Sequence, residues 1–176
     1  MKVKQAINDL TIDIAGEKVP IKEVKNMKEL KENVETLKEI EQGNYRNHGK
    51  LTFMTDSVAE SLAKYEAELD LNGLTYLSDN QAQSLSKHKG GWIGLRGLTS
   101  LSDKKVESLS KHKGGLSLVI ILLSDNQAQS LSEHKGDIWL RGLTSLSDNQ
   151  AESLAKRKGN LFVSSDIRKQ IDKFKE

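Results

Sequence analysis

Cysteine is absent from the 176-residue chain, so disulfides and thiolate metal sites are excluded. Proline occurs once, as Pro20, and aromatic residues make up only 5 % of the chain, which limits the size of any one compact core. An array of thin layers tolerates that shortage, because each layer needs only a few leucines from its neighbours. Long apolar runs are also missing. The longest extends from Leu118 to Leu123, far short of the roughly 20 residues that span a bilayer. The amino terminus, Met1-Lys2-Val3-Lys4-Gln5, lacks the apolar stretch of a secretory signal. These absences predict a soluble, cytoplasmic protein with no membrane contact. Neither charge sign dominates: 27 basic residues face 25 acidic ones, for a net charge of +2. Net charge thus gives no strong reason to expect nucleic acid or an anionic membrane as partner.

What the chain has in abundance is self-similarity. Leu77-Ser78-Asp79-Asn80-Gln81-Ala82-Gln83-Ser84-Leu85-Ser86 recurs unchanged from Leu123 to Ser132, and Leu95 to Asp103 recurs unchanged from Leu140 to Asp148. The aspartates Asp56, Asp79, Asp103, Asp125 and Asp148 are spaced 23, 24, 22 and 23 residues apart. A period of this length over about five copies marks a tandem repeat.

Each copy has two halves. The first, as in Leu69-Asp70-Leu71-Asn72-Gly73-Leu74, Ile93-Gly94-Leu95-Arg96-Gly97-Leu98 and Ile138-Trp139-Leu140-Arg141-Gly142-Leu143, alternates with period two. That pattern predicts a short strand with leucine or isoleucine on its buried side, ended by a glycine turn. The second half predicts a short helix. Thr55, Ser78, Ser102, Ser124 and Ser147 stand at N-caps, and Gln81, Gln127 and Gln150 complete capping boxes three residues later. Each cap contributes about 1 kcal/mol to a helix too short to persist alone. Ala82/Leu85, Val106/Leu109, Ala128/Leu131 and Ala151/Leu154 form the buried stripe. Gly90, Gly114, Gly136 and Gly159 are expected at the C′ positions.

The pattern Leu69-x-Leu71-x-x-Leu74-x-x-Leu77 followed by a helix resembles a leucine-rich repeat, over about residues 50 to 163. The fuller consensus, Leu-x-Leu-x-Gly-Leu-Thr-x-Leu-Ser-Asp followed by Ala-x-x-Leu-x-x-His-Lys-Gly, is similar to a repeat of bacterial proteins. The resemblance implies an α/β fold: a right-handed solenoid of strand–loop–helix repeats, with a parallel sheet on one face and helices on the other. It also implies a binding scaffold. Two departures stand out. Leu74, Leu98 and Leu143 occupy the place of the family's laddering asparagine, and Gly90 the place of a leucine before the strand. Thr75, Thr99 and Thr144 are candidates for the missing polar role.

The ends differ from the repeat. Residues 1–49 form an expected head or cap, residues 50–160 the tandem repeats, and residues 161–176 a closing strand and helix. In the head, Leu10 to Ile21 reads as a hairpin, and Val24, Met27, Leu30, Val34, Leu37 and Ile40 mark an amphipathic helix over about 24–41. At the far end Leu161-Phe162-Val163 leads into a helix carrying Ile167, Ile171 and Phe174. With both ends capped, a monomer is the simplest expectation.

Candidate chemistry is sparse. Gly43 to Lys50 imitates a phosphate loop, but five residues instead of four separate Gly43 from Gly49, and Leu51 replaces the serine or threonine that would reach magnesium. His88, His112 and His134 recur once per copy, with Tyr65 and Arg157 in the flanking copies. At helix spacings of about 8–10 Å such histidines would stand too far apart to share one metal ion, so a packing role at the helix ends is expected. The lysines around them, Lys87, Lys89, Lys111, Lys113, Lys135, Lys156 and Lys158, read as solvated helix ends without the aromatic platform of a nucleic-acid site. Serines and histidines are mostly repeat residues and His48 has no evident partner, so no catalytic constellation, cofactor or metal is expected.

Residues that do not build the repeat are free for function. In register along the outer side of the strands these are Thr52, Asp70, Asn72, Gly94, Arg96, Ser117, Val119, Trp139, Arg141 and Phe162. Arg96, Val119, Trp139, Arg141 and Phe162 are the candidate strip for an unidentified protein partner, because tryptophan and arginine are enriched in interface hot spots. The copy holding Leu116 to Leu123 is more apolar than its siblings. A non-enzymatic protein-interaction scaffold is the leading expectation. A structural spacer, or a fragment of a longer array without a ligand of its own, is the alternative.

Overall fold

The computed structural model describes residues 11–14, 17–20, 27–43 and 49–175. Strands β1 (Thr11–Ile14) and β2 (Glu17–Pro20) pair antiparallel, with Thr11 opposite Pro20 and Ile14 opposite Glu17. This is the expected hairpin, its turn residues Ala15 and Gly16 lying outside the described set. Helix α1 runs Met27–Glu41; Val24, which the periodicity also assigned to it, is outside the described residues.

From there strands and helices alternate. Helix α2 (Asp56–Lys64) is followed by β3 (Leu69–Asp70), α3 (Asp79–Leu85), β4 (Trp92–Leu95), α4 (Asp103–Ser110) and β5 (Gly115–Leu118). Then come α5 (Asp125–Glu133), β6 (Ile138–Leu140), α6 (Asp148–Ala155), β7 (Leu161–Phe162) and α7 (Ser165–Asp172). The five strands β3 to β7 form one sheet in sequence order, and every pair is parallel. Each helix from α1 to α7 packs on the next. Leu69, Ile93, Leu116, Ile138 and Leu161 stand in register across the strands and are all buried. Between sheet and helices they meet Ala82, Leu85, Val106, Leu109, Ala128, Leu131, Ala151 and Leu154, forming a single continuous core. Removing about 25 cal/mol per Å² of apolar area from water stabilises each layer, and no layer has a core of its own.

The polar joints between copies are more elaborate than capping. Ser78, Ser124 and Ser147 each form the expected box with Gln81, Gln127 and Gln150. The same glutamines then reach backwards, donating through Nε2 to the carbonyls of Met54 (2.6 Å), Leu101 (2.7 Å) and Leu123 (2.9 Å) of the preceding copy. Ser78 and Ser124 also donate to Asp56 and Asp103 of the copy before. The glutamines, not the threonines, supply the missing polar ladder. Thr75, Thr99 and Thr144 are exposed, and only the Thr144 hydroxyl reaches a neighbouring carbonyl, that of Ile121. Asn72 makes one ladder-like bond, its Oδ1 accepting from the Arg96 backbone N–H at 2.9 Å.

Four glycines behave differently from the expectation. Gly90, Gly114, Gly136 and Gly159 are not C′ residues: the C-caps are Ser86, Lys111, His134 and Lys156, and none of the four has a left-handed φ. They are glycines because of crowding. A Cβ on Gly114 would fall 1.9 Å from the Gly91 carbonyl oxygen, and one on Gly136 would fall 2.0 Å from that of Gly114. Consecutive copies therefore touch backbone to backbone at this level. Gly142 alone of the strand-end glycines takes a left-handed conformation, at φ 105°.

The head docks through a residue outside the predicted apolar stripe. Leu37 of α1 is buried as expected, but so is Asn33. Its side chain donates to the Phe53 carbonyl (3.0 Å) and accepts from the Thr55 N–H (2.9 Å), joining α1 to the first helical copy. At the other end Ile167 and Ile171 of α7 are buried against the last copy.

Candidate partner-binding face

The outer side of the sheet is a grid set by the strand register. One row runs Asp70, Gly94, Ser117, Trp139, Phe162. Two residues further along the strands lie Asn72, Arg96, Val119 and Arg141, and at the other end Trp92 stands beside Gly115. Parallel strands lie about 4.8 Å apart, so neighbouring side chains in a row touch. Trp139 and Phe162 do so face to face, with ring centroids 4.7 Å apart and planes 7° from parallel. Phe162 remains 45 % exposed. With Arg141, Gly142 and Ser164 the two rings line a hollow of about 410 Å³.

Of the five strip residues, the structure brings Trp139, Phe162 and Arg141 together. Val119 joins them from the next strand: a Cβ on Gly142 would lie 3.1 Å from Val119 Cγ1. Arg96 is exposed one strand further on. Two other residues of the predicted outer register depart from the expectation, one in position and one in exposure. Thr52 is not level with the strands, because the Thr75 N–H donates to its carbonyl. That makes Thr52 the counterpart of Thr75; His48 and most of the glycine-rich loop lie outside the described residues. Ser117 is buried despite facing outward, because it lies between two indoles that lean over Gly94 and Gly115.

Three residues of this surface lie outside the candidate strip. Ile121 and Leu122 are 50 % and 65 % exposed. The other copies carry Thr75, Thr99 and Thr144 or Tyr76, Ser100 and Ser145 at these places, and that substitution was the available signal. Trp92 is the third. Its ring covers Gly94, where an added Cβ would meet the indole at 2.4 Å. Only the glycines on its own and the next strand let the ring lie flat, and their presence was the clue.

On the side of the loops that follow the helices, His88, His112 and His134 form a buried row. Ring centroids are 5.6 Å and 6.5 Å apart. This is closer than helix spacing, because the rings project from loops that approach at backbone contact. Nδ1 of His88 lies 3.1 Å from the Leu62 carbonyl and Nδ1 of His134 lies 2.9 Å from that of Ser110; a carbonyl can only accept, so these nitrogens carry the proton. Neither ring nitrogen of His112 makes a well-formed hydrogen bond, the His88 backbone giving only a weak one. Burial lowers the pKa of all three, and the positive charge of its two neighbours joins burial in lowering His112 to about 4. Arg157 closes the row, donating to the carbonyls of Leu131, His134, Gly136 and Asn160. The row is a packing element. Among the described residues no group of three or more histidine, aspartate or glutamate side chains is arranged to hold a metal ion. Among the same residues no helix is long and apolar enough to cross a membrane.

No protein-family model, no curated protein and no solved structure matches the chain.

Proposed function

We propose that this protein is a non-enzymatic scaffold, a right-handed solenoid of the leucine-rich-repeat kind, whose strand face binds another protein. The handedness follows from the general preference of parallel strand–helix–strand connections, which is right-handed in about 98 % of cases. The observation that carries the functional reading is the stacked Trp139–Phe162 pair beside Arg141. In the same row the other copies have Asp70, Gly94 and Ser117, so the pair is not part of the repeat's own construction. Exposed aromatic and arginine side chains on a rigid sheet lose little conformational freedom on binding and desolvate a large area. Val119, Ile121 and Leu122 extend the patch with apolar surface that the sibling copies lack. The repeat residues are accounted for by architecture, which among the described residues leaves no nucleophile, base and orienting group together.

The test is affinity capture from the native lysate with the wild-type chain and a Trp139→Ala/Arg141→Ala double variant. Loss of a captured protein while circular dichroism stays unchanged supports the binding scaffold. Identical captures by both chains reject the strip and favour a spacer, a role that the near-identity of the copies would suit.

A further inference from the structure

The outer face holds a second groove, at the amino-terminal ends of the strands, of about 600 Å³. Glu68, Trp92, Gly115, Asp137 and Trp139 line it, and no lysine or arginine does. Both indoles border Gly115: a Cβ there would lie 3.1 Å from Trp92 Cδ1 and 3.1 Å from Trp139 Cζ3. The two indoles therefore flank Gly115, one from each side, with the far face of Trp139 stacked on Phe162. A carboxylate stands at each end, Glu68 next to Trp92 across the strands and Asp137 two residues before Trp139 on the same side of its strand. Glu68 is exposed and has no ion pair among the described residues. Asp137 accepts one hydrogen bond, from the Asn160 N–H. Arg157, which interacts with Asp137 electrostatically, has its guanidinium committed to backbone carbonyls.

Each end thus offers a carboxylate and an indole lining the same groove, the combination that attracts an organic cation by charge and by the ring quadrupole together. The two ends are three strand spacings apart, about 14 Å. In an extended peptide, side chains at i and i+4 point the same way and lie about 13 Å apart. We propose that this groove binds an extended basic peptide, with lysine or arginine at i and i+4 and a small residue at i+2 lying over Gly115 between the two indoles. The assignment rests on the strand face being the binding surface. It can fail separately from that reading, because Glu68→Gln leaves the Trp139–Phe162–Arg141 patch intact and Arg141→Ala leaves the groove intact.

Trp92 and Trp139 are the only two tryptophans of the chain, so intrinsic fluorescence reads the site directly. The probe is the acetylated, amidated peptide Lys-Gly-Ala-Gly-Lys, titrated to about 10 mM, a range suited to weak affinity. A saturable fluorescence change is expected, with none from the glutamine twin Gln-Gly-Ala-Gly-Gln. The isomer Lys-Lys-Gly-Ala-Gly should bind about fivefold more weakly, as should the Glu68→Gln and Asp137→Asn proteins toward the original peptide. Arg141→Ala should bind it unchanged. Absence of a saturable change in a folded wild-type chain overturns the proposal. Equal binding of the glutamine twin, or an unaltered Glu68→Gln titration, also overturns it.

Discussion

The copies built on α4 and α5 are neighbours with the same apolar plan and different polar joints. In the α5 copy every joint is closed. Ser124 and Gln127 cap each other, Gln127 donates to Leu101, and Ser124 and Asn126 both bond Asp103. In the α4 copy Ser102 makes no side-chain cap bond. Lys105 stands where the glutamine would be, its ammonium 5.4 Å from the centre of the Tyr76 ring, and Lys104 forms an exposed ion pair with Asp79. The same copy holds His112, the histidine without a well-formed hydrogen bond. Yet Val106 and Leu109 are as completely buried as Ala128 and Leu131. Apolar stacking therefore holds a layer in place, and the polar ladder adds to it without being required at every step.

Leu109→Ala should show the largest effect, a loss of about 2–5 kcal/mol in urea unfolding; a cost below about 1 kcal/mol would break the comparison, since a buried core leucine should not be that dispensable. Acid should come next. The folded-state pKa of His112 lies at about 4, below the unfolded value near 6.5, so the unfolded chain takes up protons first. Its contribution is fully present above about pH 6.5, declines as pH falls, and has lost up to about 3 kcal/mol by pH 4. Urea midpoints across that window should fall for the wild type and stay flatter for His112→Leu. Exchanging the joints gives the finest test. Gln127→Lys should cost about 1–2 kcal/mol by opening a capping box and orphaning the Leu101 carbonyl. Lys105→Gln should gain about 1 kcal/mol by closing the one that is missing.

Much of this arrangement was legible in the residues. Period-two leucines located the strands, the serine–glutamine pairs located the helix starts, and the apolar end helix announced itself through Ile167 and Ile171. What stayed hidden depends on contacts between copies, which a one-dimensional pattern does not display. The second bond of Gln127 goes to a residue 26 positions earlier. Gly114 looks like a helix terminator until the Gly91 carbonyl is found against it. Asn33 carries no signal of its burial in the periodicity of α1, because its partners Phe53 and Thr55 lie outside that helix. The site divided in the same way: the register placed Trp139 beside Phe162 and Trp92 on the outer face, whereas the lie of the Trp92 ring over Gly94 depends on contacts that only the folded chain shows.

The backward reach of Gln81, Gln127 and Gln150 has one more consequence. Every unit with such a residue offers the same donor to its predecessor and, through its own loop carbonyl, the same acceptor to its successor. Units of this kind are interchangeable parts. Length can change by excising or inserting one complete period, which brings matching faces together again. A cut of any other size would pair a donor with a side chain and leave the junction open.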